Sequence, residues 1–236
     1  MSNKKNRHTK TLAIIVISIT LLGISVWNTQ RKISSSTSKA CIINPLSEAT
    51  YSLNFTQEAT SLLHDKGYKV DIYTDEEVTV QQLKNIKKYG LILLRVHSGV
   101  FEDTVWFFTG EEYDGSKYVL EQLAGEVHVA RCPSDPELLF AVGSKYVRHY
   151  LSESLDGCLV ILMGCDGLTG DDLASSFIDC GASGFIAWDG PVSLHYSDEA
   201  VLGFLELYLE GFSVEECLSL IESDDVYDSY LCYYCK

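Results

Sequence analysis

A three-layer α/β/α sandwich on a mostly parallel sheet, preceded by an N-terminal transmembrane helix, is the fold class that the sequence predicts. Three observations carry it. From residue 40 onward, short apolar runs alternate with segments of helical period. The most hydrophobic run of the body, CLVILM at 158–163, has the unbroken apolar character of a strand buried on both faces. Residues 11–27, TLAIIVISITLLGISVW, contain no charge at all.

That N-terminal segment has 17 residues, near the lower limit for a spanning helix. Residues 1–10 form a basic N-terminus of the kind that stays cytoplasmic, and Trp27 stands where an interfacial aromatic would. We therefore expect an uncleaved single-pass signal anchor at 11–27. A cleaved signal peptide is the competing reading, although no clean small-residue cleavage pattern follows Ile24. Both readings place residues 40–236 outside the cytoplasm. Residues 28–39, NTQRKISSSTSK, are polar and read as a flexible tether.

The body, residues 40–236, then reads as one α/β domain. Residues 40–44 suit a buried strand ending at Pro45. Residues 55–66 have helical spacing and stop at Gly67, and 68–73 alternate at period two. Residues 80–88 read as a helix, and 91–96 (LILLRV) as a strand. Such alternation implies parallel pairing with crossover helices. Residues 105–108 and 126–130 look like strands of an antiparallel excursion over the site, and 139–151 is ambiguous. Alternation resumes with the strand at 158–163, a helix at 171–180, a strand at 184–188 and a helix at 197–209. Ser213 and Glu216 then have capping-box spacing.

Charge is distributed unevenly. Residues 1–39 hold seven Lys or Arg and no Asp or Glu; the rest holds the other 11 of the 18 basic residues and all 33 acidic ones, a formal charge of −22. A body that acidic repels phosphate backbones, and it has no basic stripe with interleaved aromatics, so nucleic-acid binding is excluded.

In open α/β sheets, sites form beyond the carboxyl ends of central strands. Two strands here end in reactive residues. LILLRV runs into His97, Ser98 and Gly99; CLVILM runs into Gly164, Cys165, Asp166 and Gly167. If these strands are parallel neighbours, an imidazole and a thiol emerge at one edge. The imidazole would generate the thiolate for attack on an acyl carbon and then protonate the leaving amine. The amide of Ser98 or of Gly99 would stabilise the oxyanion.

The stretches LILLRVHSG (91–99) and LVILMGCDGLTGDDLASSFIDCGASGFIAWDGPVS (159–193) resemble the caspase-like clan of cysteine peptidases. That clan includes caspases, metacaspases, gingipains, clostripain and the CHAT-domain peptidases, and the likeness is greatest to the prokaryotic CHAT and clostripain-like members. It covers roughly residues 40–215. It implies His97 as general base and acid, Cys165 as nucleophile, a six-stranded sheet, a polypeptide substrate, and no metal or cofactor in the chemistry. It also implies that the loop bearing Trp188, Asp189 and Ser193 shapes the substrate cleft. Ser98 stands where many members have Gly, and Met163 and Gly164 stand where metacaspase-like members carry an acid, so cleavage after Lys or Arg is not implied.

Asp166 would line the pocket, and Asp171 would cap the following helix. Glu111 and Glu112 read as a solvated loop, and His195 with Asp198 as a helix start. Cys232 and Cys235 form a C-x-x-C without the context of a redox or zinc motif, and a local disulfide suits an extracellular setting. The chain reads first as a membrane-anchored cysteine peptidase. The alternatives are a surface binding module that keeps the fold without catalysis, and a thiol acyltransferase.

Overall fold

The computed structural model describes residues 38–46, 54–132 and 137–236. The expected cytoplasmic N-terminus, anchor and most of the tether lie outside these residues. Among the described residues no helix is long and apolar enough to cross a membrane. The tether ends sooner than expected: strand β1, Lys39–Asn44, begins within it, and the Ser38 carbonyl already accepts the Lys69 amide at 2.9 Å.

The protein has a mixed α/β fold around a six-stranded, mostly parallel sheet. Its strands are β1, β2 (Lys69–Thr74), β3 (Leu91–Leu94), β8 (Leu159–Leu162), β9 (Gly184–Trp188) and β10 (Leu231–Tyr234), in the order β10-β9-β8-β3-β1-β2. All pairings are parallel except β9 with β10. A second, antiparallel sheet has the order β4-β5-β7-β6, with β4 at Ser98–Phe101, β5 at Thr104–Glu112, β6 at Val127–Ala130 and β7 at Leu139–Val142. This sheet is the excursion expected from the sequence.

The described residues include seven α-helices: α1 (Phe55–Asp65), α2 (Val80–Leu83), α3 (Val119–Leu123), α4 (Ser144–Tyr150), α5 (Asp172–Asp179), α6 (Leu194–Leu209) and α7 (Val214–Leu218). Period-two alternation sends each strand's side chains to opposite faces. Ile42, Leu93, Ile161 and Ile186 pack beneath α1, α6 and α7, where Leu63, Phe204 and Cys217 meet them. Ile43, Leu94, Leu162 and Phe185 pack against α2, α4, α5 and the small sheet through Leu83, Val147, Phe177 and Phe107. Helices therefore cover both faces of the central sheet.

Several elements differ from expectation. The helix expected over 80–88 is a single turn: Thr79 caps it, and the chain then turns through Lys88, whose φ of 64° ends any helix. The ambiguous stretch 139–151 divides into β7 and α4 at Gly143, the extended N-cap residue, where a Cβ would lie 3.0 Å from the Trp106 ring. Helix α6 starts three residues early, capped by Ser193. The capping box of α7 forms as its spacing predicts. The C-terminal strand β10 is additional.

Candidate active site

Strands β3 and β8 are parallel neighbours, with Leu91 opposite Leu159 and Leu94 opposite Leu162. The ladder continues through the Met163 amide, which donates to the Leu94 carbonyl at 2.9 Å. His97 lies three residues beyond the last pair on one strand, and Cys165 three residues beyond it on the other. Glycine is required between them and the sheet. A Cβ on Gly164 would lie 2.6 Å from the Val96 carbonyl and 2.9 Å from the Ser98 nitrogen, and would run into the Ser98 hydroxyl. That hydroxyl donates to the Cys165 carbonyl at 2.6 Å and ties the two strand ends together.

His97 is half-buried at the junction of β3 and β4. Its ring stands edge-on to Phe108, 6.2 Å between centroids, and its carbonyl accepts the Phe108 amide at 2.8 Å. That bond fixes the phase of the β4–β5 hairpin, because bonded and non-bonded pairs alternate along an antiparallel ladder. Gly99, opposite Trp106, falls in a bonded pair, so its amide is engaged. Ser98 and Val100 fall in non-bonded pairs and turn their backbone groups away from β5. Consistent with this phase, Val105, opposite Val100, donates its amide to Asp172 rather than to β4. Of the two oxyanion donors read from the sequence, geometry favours Ser98, whose nitrogen faces Gly164.

Cys165 is also half-buried. Its sulfur donates to the Val192 carbonyl at 3.6 Å and accepts the Val192 amide at 3.5 Å. Burial pushes its thiol above the ordinary range; the Val192 amide opposes this, while Asp166 and Cys132 add to it. The thiol therefore needs a base to lose its proton, and His97 follows the end of the neighbouring strand.

The other expected site residues serve the frame. Asp166 turns the chain with a φ of 58°, donates its amide to the Gly190 carbonyl at 2.9 Å, and accepts the Thr169 hydroxyl at 3.4 Å. Trp188 is fully buried and its indole N–H donates to Ser197 at 3.0 Å, so it forms core rather than cleft wall. The Asp189 carboxylate accepts the Tyr230 amide at 2.7 Å and holds β10. Ser193 caps α6 and gives its own amide to Asp224 at 2.8 Å. The resemblance implied that this loop shapes a cleft; here Trp188 meets α6, and Asp189 and Ser193 meet the C-terminal tail.

Further residues differ from their reading. Asp171 occupies the N-cap position of α5 without a capping hydrogen bond. Glu111, expected in solvent, is buried and accepts the Val80 amide, the Lys117 ammonium and the Tyr118 hydroxyl. His195 lies exposed beside Glu199 at 3.7 Å. None of the eight cysteines, each among the described residues, is in a disulfide, so the local disulfide expected at Cys232 and Cys235 is not formed. Among the described residues no cluster of three or more His, Cys, Asp or Glu could hold a metal ion.

One feature near the site has no counterpart in the sequence reading. Arg95, two residues before His97, is fully buried and forms a two-pronged ion pair with Asp198 of α6, Nε to Oδ1 at 2.8 Å and Nη2 to Oδ2 at 2.9 Å. Its Nη1 donates to Asn44 at 3.0 Å, and Asn44 donates to Thr56 at 3.0 Å. The signal was present: an arginine inside an apolar strand demands a buried acid. No family model matches the chain, and none of the curated proteins matches it in sequence.

Proposed function

We propose that this chain is a cysteine peptidase with the chemistry of the caspase-like clan, held outside the cytoplasm by residues 11–27. The observation that supports the reading is the parallel β3–β8 pairing, beyond whose carboxyl edge the chain runs to His97 from one strand and to Cys165 from the other. The Cys165 proton passes to the His97 imidazole, and the sulfur bonds to the scissile carbonyl carbon. The oxyanion so formed meets the Ser98 amide. Collapse breaks the C–N bond, and the imidazolium returns its proton to the departing amine. Water, deprotonated by the same imidazole, then hydrolyses the thioester and frees Cys165.

A polypeptide substrate is supported by β4. Among the described residues it pairs on one side only, and Val100 turns an N–H and a C=O toward the open side, the pattern that an extended chain recognises. The test is digestion of a peptide library under reducing conditions with the wild type, His97→Ala and Cys165→Ala. We expect cleavage by the wild type alone. A folded wild type that cleaves nothing, and whose labelling by a thiol probe at neutral pH is unchanged by His97→Ala, removes the assignment.

A second reading, a binding module without catalysis, is favoured by one observation: burial holds the resting Cys165 as a thiol, against the opposing Val192 amide. The same digestion separates the two.

A further inference from the structure

The residues that align the two strand ends lie on one helix, outside the candidate pair itself. Ser197 donates its hydroxyl to the Met163 carbonyl at 2.9 Å, two residues before Cys165. The adjacent Asp198 grips Arg95, two residues before His97. Both anchor points lie at the first residue past its strand, Arg95 after β3 and Met163 after β8. Neighbouring residues of α6 thus hold equivalent points on the strands that carry the sulfur and the imidazole. We propose that Asp198 and Arg95 are positioning residues, and that with Ser197 they form a clamp setting the approach of His97 to Cys165. The inference deepens the peptidase reading and rests on it.

Stability alone does not account for such a pair. Removing two charges from water and burying them roughly cancels their attraction, and well-packed apolar residues of similar volume often do as well or better. The pair supplies direction instead. A two-pronged guanidinium–carboxylate contact fixes angle as well as distance, and the third prong, on Asn44, extends the brace to the end of β1. Asn44 in turn holds Thr56 of α1, so helices α1 and α6 are joined through the strand that delivers the imidazole.

The test follows the pH dependence of Cys165 alkylation by iodoacetamide, read by mass spectrometry of the Cys165 peptide, in full-length protein. The variants are Asp198→Asn, the double variant Arg95→Met/Asp198→Leu, and His97→Ala as reference. Asp198→Asn strands a buried charge and is open to misfolding; the double variant removes both charges and keeps the volume. We expect the double variant to melt within a few degrees of the wild type. Its alkylation profile should shift to alkaline pH toward that of His97→Ala, with labelling at neutral pH reduced about tenfold, the equivalent of one pH unit in thiolate fraction. A double variant with the wild-type profile overturns the clamp while leaving the peptidase reading intact. Identical profiles for the wild type and His97→Ala overturn both.

Discussion

Strand β8 is flanked by a cysteine at each end, and the two differ in burial and in what surrounds the sulfur. Cys158, at the amino end, is fully buried; desolvation drives its thiol far above the ordinary range, and its sulfur meets the carbonyl of the next residue, Leu159, at 3.5 Å. Cys165, just past the carboxyl end, is half-buried among backbone groups of a loop, and its thiol rises for the same reason but with an opposing amide beside it. The side chain is the same and the strand is the same. Parallel strands splay into separate loops at their carboxyl ends, which leaves room there for a reactive group, whereas helices and turns seal the amino ends.

The comparison can be broken most decisively by substitution. Cys165→Ala should lower peptide turnover ~10,000-fold or more, as loss of a nucleophile does, while Cys158→Ala should leave turnover unchanged; equal losses would end the distinction. Gly164→Ala should destabilise the fold by about 1–3 kcal/mol, because its Cβ meets backbone atoms that cannot yield, and urea unfolding measures this. The pH dependence sharpens the contrast. A raised pKa leaves the thiolate as the minor form at neutral pH, so alkylation of Cys165 should climb with pH, by about tenfold per unit below that pKa. A plateau reached already in mild acid would show a preformed thiolate instead. Cys158 should remain unlabelled over the same range until the protein unfolds. The smallest effect is thermal: Cys158→Ala should cost about 1 kcal/mol, the loss of one small buried group.

The central strands were legible because burial on both faces writes itself as unbroken apolar runs, and His97 and Cys165 were legible because they end two such runs. What escaped depends on contacts distant in the chain. Strand β4 is four residues, SGVF, recognisable only once β5 pairs with it. Strand β10 lies in a tail of Tyr and Cys whose partner, β9, is more than forty residues away. Trp188, Asp189 and Ser193 were correctly placed at the carboxyl edge, yet their partners Ser197, Tyr230 and Asp224 turn them into structural supports. Arg95 carried a readable demand for a buried acid, but nothing local singles out Asp198 from the other carboxylates. The over-long helix at 80–88 shows the opposite error: its apolar spacing is real, since Val80, Leu83 and Ile86 are all buried, but a turn rather than a helix delivers the last of them.

The tail that completes the sheet also braces the sulfur. Tyr230 and Asp189 exchange two backbone-anchored bonds, at 3.1 and 2.7 Å, and Ser229 holds the Pro191 carbonyl at 2.6 Å. Asp224 links the two sides, donating its amide to the Ser229 carbonyl and accepting the Ser193 amide. Val192, whose amide and carbonyl cradle Cys165, sits in the middle of this scaffolding. Peeling residues 224–236 away from β9 and its loop would release both flanks of Val192 at once, so the thiol's surroundings can be no stiffer than the grip of that segment.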